Sequence, residues 1–158
     1  MNLRTALALS IAAVVCLAAS PVTAGPAGPV KPSRTDKCPV CGMFVYKYPD
    51  FIAQVVFRDR SARYFDGAKD MFKYLLALKK YDSGKRQTDI SLVYVTEYYR
   101  LRLIDARKAY YVIGSDIYGP MGRELIPFEN KPEAEEFMSD HRGRAILRYE
   151  EVTAGVVR

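Results

Sequence analysis

Between Phe51 and Val152 the chain sets out the same order of elements twice: two strands, a helix and a closing strand. In the first pass, Phe51 to Arg58 is rich in β-branched and aromatic residues, and Asp59-Arg60 turns it into a second strand, Ala62 to Phe65. Asp66 is placed to cap the helix that follows. Ala68, Met71, Phe72, Leu75 and Leu76 recur there at the spacing of one helical face, with Lys69, Lys73, Lys79 and Lys80 on the others. Asp82-Ser83-Gly84 ends the helix, and Leu92 to Tyr99 is the next strand.

The second pass follows a short extended stretch, Leu101 to Ile104, and a turn at Asp105 to Lys108. Ala109 to Ser115 and Glu124 to Phe128 read as strands, joined by a glycine-rich loop from Gly114 to Gly122. Asn130 with Glu133 resembles a capping box, and Pro132 suits a first helical turn. Ala134, Phe137, Met138 and His141 share one face, Gly143 stops the helix, and Arg144 to Val152 is the final strand. The copies, at about 51–99 and 109–152, share a pattern and not a residue-level identity. Each is too short to bury a core comfortably alone. The expected fold is therefore α+β, a tandem pair of ββαβ units packed as one compact body.

What precedes the repeat reads differently. Arg4, the apolar run Ala6 to Ala19, Pro21 and then Val22-Thr23-Ala24 have the layout of a secretory signal. The run is shorter than the about 20 residues a membrane span needs. Removing these 24 of the 158 residues leaves 134, about one domain. Residues 25–37, rich in Pro and Gly, are expected to form a flexible leader, with residues 38–158 as the folded domain. Cys16 lies within the signal and follows Val14-Val15, where a lipid-attachment site wants a small residue, so the expectation is soluble export to the periplasm. The net charge of +6 is spread among acids with no run of five like charges, which in an exported chain argues against nucleic acid as a partner.

The mature chain then keeps two cysteines, Cys38 and Cys41, and one histidine, His141. In Cys38-Pro39-Val40-Cys41-Gly42-Met43, Pro39 stiffens the approach and Gly42 allows a backbone angle that a side chain resists, so both sulfurs can face one point. Four chemistries fit the pair. A structural zinc site wants four ligands; the chain offers no second cysteine pair and only His141, so carboxylates or a second chain would have to complete it. A thiol–disulfide oxidoreductase would use Cys38 to attack and Cys41 to resolve, but its usual setting is a strand followed by a helix, whereas Met43 to Tyr48 is β-prone. A small structural disulfide would close a tight loop. A soft metal site would use both thiolates with the Met43 thioether, donors that suit Cu(I). Met121 adds a second thioether, flanked by Gly119-Pro120 and Gly122, a setting poorly suited to core filling.

Cys-Pro-Val-Cys-Gly-Met-Phe-Val, with the later Gly114-Ser115, Pro120-Met121-Gly122 and Pro127-Phe128, resembles the nitrous oxide reductase accessory protein family, NosL, over about Cys38 to Val152. The resemblance implies a periplasmic copper chaperone and no enzyme. Such a protein binds Cu(I) and helps mature the copper centre of nitrous oxide reductase or a related copper enzyme, together with a membrane transporter complex. It implies the tandem ββαβ fold, with Cys41 and Met43 as ligands, Met121 joining from the second repeat, and Cys38 as partner thiol or further donor. Many members are lipoproteins, and this chain departs from them by lacking a convincing lipid-attachment site.

His141 is expected to pack neutrally or pair with its helix C-terminus. The tyrosines are expected to cover sheet faces. Asp59, Asp105 and Asp116 read as turn formers. No paired carboxylates, phosphate loop or Ser-His-Asp set can be assembled, and one histidine leaves little for acid–base catalysis at neutral pH.

Overall fold

Five consecutive buried residues form strand β1 (Ala53–Phe57), and the first sheet is hung on it. In this computed structural model, which describes residues 28–158, β2 (Ala62–Phe65) and β3 (Ile90–Thr96) pair antiparallel with its two edges. Strand β4 (Leu103–Asp105) adds an outer edge beside β3. A strand covered on both faces reads as a near-continuous apolar run, as β1 does. Its one polar member, Gln54, accepts a hydrogen bond from the Val30 N–H at 2.9 Å, so part of the proline-rich leader lies against the body. The signal-like segment with Cys16, and the start of the leader, lie outside the described residues.

The second sheet repeats the plan. Strand β5 (Tyr110–Gly119) is central, with β6 (Gly122–Phe128) on one side and β7 (Ala145–Arg148) on the other, all antiparallel. Helices α1 (Ala68–Leu76) and α2 (Leu78–Tyr81) serve the first unit, and α3 (Lys131–Asp140) serves the second. In both units the first strand lies between the second strand and the strand after the helix. This is the tandem ββαβ arrangement that the repeated pattern implies.

The halves share their main core. Val55, Phe57, Met71 and Tyr74 of the first unit belong to one buried cluster with Tyr111, Ile113 and Leu125 of the second. Helix α1 packs on β6 as well as on β1 and β2. A smaller cluster, including Val112, Phe128, Ala134 and Phe137, seals α3 to its own sheet. Tyr111, fully buried, donates its hydroxyl to the Ala106 carbonyl at 2.6 Å, which satisfies the polar end of a core aromatic.

Several local expectations change. The cap position of α1 is Gly67, not Asp66, whose carboxylate is used elsewhere. The stretch from Gly114 is no loop. Strand β5 bulges between Ile113 and Tyr118 and continues to Gly119, which pairs with Gly122 and leaves Pro120-Met121 as the tip of a long hairpin. Asn130 accepts from the Glu133 N–H at 3.0 Å, but the Glu133 carboxylate takes the Arg100 guanidinium instead of completing a capping box. Leu76 is exposed, and Tyr74, Leu75 and Leu78 fill the buried face. Asp59 and Asp105 do hold turns, accepting from the N–H of Ser61 and Arg107 at 3.0 Å each, whereas Asp116 pairs with His141. The turn after α3 is made by Arg142 at φ 55, with the Gly143 N–H reaching back to the Met138 carbonyl at 2.8 Å. Gly143 is needed for space: a Cβ there would stand 2.6 Å from Val112 Cγ1.

Candidate metal centre

The cysteine segment closes on itself before the first sheet begins. The Cys38 N–H donates to the Met43 carbonyl at 2.8 Å, and the Gly42 N–H donates to the Cys38 carbonyl at 2.9 Å. Gly42 sits at φ 80, the left-handed region that glycine enters without a steric penalty. Lys37 and Phe44 pair as an antiparallel bridge across the base of the loop, and buried Val45 anchors it to the core. Only single 3-10 turns follow, Val45–Lys47 and Pro49–Phe51, so no α-helix begins at the motif. Both cysteines carry free thiols, Cys38 buried and Cys41 half-buried.

The start of α1 is laid against this loop and supplies two acids. Cys41 Sγ donates to Asp66 Oδ1 at 3.3 Å, and Cys38 Sγ stands 3.6 Å from Asp70 Oδ2. Asp66 and Asp70 are each 1% exposed. Asp70 Oδ1 has no hydrogen-bond partner and lies 3.3 Å from Lys73 Nζ. One ligand atom from each of Cys38, Cys41, Asp66 and Asp70 lies within 4.8 Å of every other. A tetrahedral cation with sulfur at about 2.3 Å and oxygen at about 2.0–2.2 Å has S···O edges of roughly 3.5 Å. The Cys41–Asp66 and Cys38–Asp70 S···O separations lie on either side of that edge, and all four atoms fall within 4.8 Å of one another, close enough for one ion to draw them together.

Burial, and then the neighbouring carboxylates, keep the thiols protonated. Desolvation pushes the Cys41 thiol up to about 11, and Asp66 adds to the rise. The more deeply buried Cys38 is pushed higher still, again chiefly by burial. The resting cluster therefore holds two S–H donors against carboxylates. A soft cation entering it replaces thiol protons.

The thioethers take different positions. Met43 is half-buried in the same loop, its Sδ accepting from the Tyr48 hydroxyl at 3.4 Å. Met121 is at the β5–β6 tip, 42% exposed, and its carbonyl accepts from Lys69 Nζ at 2.6 Å. Lys69 precedes Asp70 on α1, so the hairpin tip is fastened to the helix that faces the thiols. His141 is elsewhere, its ring against Phe137 with centroids 4.3 Å apart and its Nδ1 3.0 Å from Asp116 Oδ1. The structure thus joins Cys38 and Cys41 to two acids that the sequence reading did not include in the site. Asp66 was expected as a cap and Asp70 had no role. Asp66 lies ahead of the helix cap Gly67 and Asp70 inside the helix, so no helical spacing in the sequence marks them as a pair.

A family model described as NosL matches residues 29–157. The copper-binding lipoprotein NosL of Stutzerimonas stutzeri is 31% identical, over 82% of this chain and 68% of its own length. The crystal structure of the copper chaperone NosL from Shewanella denitrificans matches the fold with a TM-score of 0.69 at 25% identity, covering 82% of this chain and 98% of that one. These relatives are described as copper-binding and chaperone proteins, not as enzymes. With the family model spanning both ββαβ units and the cysteine loop, the chain belongs to the NosL family.

Proposed function

We propose that this protein is an exported copper chaperone that carries one Cu(I) at the cysteine loop and hands it to a copper enzyme. The single observation that carries the reading is the convergence of two free thiols at the mouth of α1, within 4.8 Å of two buried carboxylates. Cu(I) takes sulfur over oxygen and accepts two or three ligands. The assigned donors are Cys41 and Cys38 as thiolates and Met43 and Met121 as neutral thioethers. Asp66 and Asp70 receive the thiol hydrogens in the metal-free state and add negative charge that favours a cation. A low-coordinate ion held partly by thioethers keeps an open side for an incoming ligand, as delivery requires. The recipient we assign is nitrous oxide reductase or a related copper enzyme, reached in the periplasm with a membrane transporter complex. Among the described residues, no helix is long and apolar enough to cross a membrane.

The geometry weighs against disulfide exchange. That chemistry wants a lowered thiol pKa, commonly at a helix N-terminus beside the motif. Here no helix starts at the pair, and burial raises both thiols. The test of the copper reading is anaerobic titration against a Cu(I) chelator. One Cu(I) per chain is expected, with affinity falling on the order of 100-fold in Cys41→Ser, about 2.7 kcal/mol. Undiminished affinity in that variant rejects the assignment.

A further inference from the structure

A cavity of about 640 Å³ opens between the β5–β6 hairpin, the approach to β7 and the C-terminal turn. Four basic residues line it, Lys69, Arg123, Arg144 and Arg158, against one acid, Glu124. Lys69 is the buried member, only 8% exposed. Its ammonium donates to the carbonyls of Met121 at 2.6 Å and Arg123 at 2.7 Å. An ammonium has three donors, so one N–H is unspent among the described residues. No carboxylate there lies within ion-pairing distance of it. Glu124 does not serve, because its Oε1 is occupied by the backbone N–H groups of Lys69 and Leu125 at 2.5 and 2.9 Å. Glu124 offsets the Lys69 charge only at a distance and leaves that third N–H free to donate.

Two guanidinium groups converge on the same wall. Arg123 Nη1 donates to the Gly114 carbonyl at 3.2 Å. The Arg144 side chain crosses Gly114 so closely that a Cβ there would meet Arg144 Cβ at 2.8 Å and stand 3.7 Å from its Nε. The Arg144 guanidinium has no hydrogen bond or ion pair among the described residues. Like charges gathered at one concavity repel unless an anion sits among them. Guanidinium forks match carboxylate and phosphate oxygens in pairs.

We propose that this cavity is an oxyanion site, in which Lys69, Arg123 and Arg144 take a small, multiply charged carboxylate or phosphate compound. The site is separate from the thiol cluster and does not depend on copper being the cargo. Its neighbour is the Met121 tip, whose carbonyl shares the Lys69 ammonium with the anion.

The experiment is a two-dimensional amide NMR titration of the metal-free chain, with citrate in one arm and inorganic phosphate in the other. Saturable one-to-one shifts are expected at Lys69, Gly114, Met121 to Arg123 and Arg144, with affinity falling at least tenfold in Arg144→Gln. Arg144 is exposed, so the variant is expected to keep the thermal unfolding midpoint of the parent, and Arg123→Gln provides a second exposed probe. Saturation by citrate alone assigns a polycarboxylate, saturation by phosphate alone assigns a phosphate compound, and both arms saturating assigns the shared oxyanion chemistry. No saturable shift in either arm, or equal affinity in the folded Arg144→Gln and Arg123→Gln variants, overturns the proposal.

Discussion

Cys41 and Asp66 face each other across the boundary between the cysteine loop and α1, thiol to carboxylate at 3.3 Å. The contact explains why a residue placed to cap the helix does not cap it. Its oxygens are turned to sulfur, and the cap position passes to Gly67, which contributes no side chain. Burial is the first cause of the raised Cys41 thiol, and Asp66 raises it further through charge and hydrogen bonding. Asp66→Asn removes the charge and is expected to lower that pKa from about 11 while leaving the burial contribution in place. The pH profile of Cys41 alkylation in a Cys38→Ser background reads it directly. A profile that does not move would show that Asp66 has no hold on the thiol.

Copper affinity should climb with pH. Both thiols are protonated near neutrality, because burial and then the acids push them up, and a thiolate–Cu(I) bond expels the proton. Each thiolate bound makes affinity rise about tenfold per pH unit below its pKa, so two make it rise about 100-fold per unit between pH 6 and 8. Chelator competition at a series of pH values gives the slope. About tenfold per unit would mean one thiolate, and a flat line would mean none.

Glu124 links the interior to pH in the opposite sense. Burial raises its carboxyl to about 7, against an ordinary value of 4.5. The folded-state pKa is the higher one, so its favourable contribution is full below the unfolded value and is lost as pH rises toward 7. Glu124→Gln cannot ionise. Its stability relative to the parent is expected to improve between pH 5 and pH 8 by up to roughly 3 kcal/mol. Urea unfolding of both proteins at the two pH values measures the difference, and a constant offset would contradict the burial argument.

The tandem architecture was legible because it rests on local chemistry. The strand Ala62 to Phe65 after the Asp59-Arg60 turn, the apolar spacing of Ala68, Met71, Phe72 and Leu75, and the Asn130 cap are decided within a few residues, and each stands where the pattern puts it. The hairpin from Gly114 to Gly122 was not legible as strand, since pairing with β6 across a bulge overrides the low strand preference of glycine. The cysteine pair was plain in the sequence, but its acids were not. Asp66 and Asp70 become site residues only when α1 is packed against a loop about thirty positions earlier, a relationship of tertiary structure that spacing alone does not carry.

The end of α3 separates two uses of neighbouring residues. Arg142 takes the left-handed turn, and Gly143 gives the room that Val112 and Met138 fill. Gly143→Ala forces a Cβ to 2.6 Å from Val112 Cγ1 and 2.8 Å from Met138 Cγ, and is expected to cost about 1–3 kcal/mol. Arg142→Gly relieves the positive φ and is expected to cost nothing or to stabilise by up to about 1 kcal/mol. Thermal unfolding ranks the two. The reverse order would contradict the steric reading of Gly143.

Sulfur coordination is the centre of the account, and X-ray absorption at the copper edge of the anaerobically loaded chain tests it most directly. The prediction is a Cu(I) edge with two to four sulfur neighbours at roughly 2.2–2.3 Å. One sulfur fewer is expected in Met121→Leu, and a collapse of the sulfur shell is expected in Cys41→Ser. A first shell of oxygen and nitrogen alone, unchanged in Cys41→Ser, would contradict it.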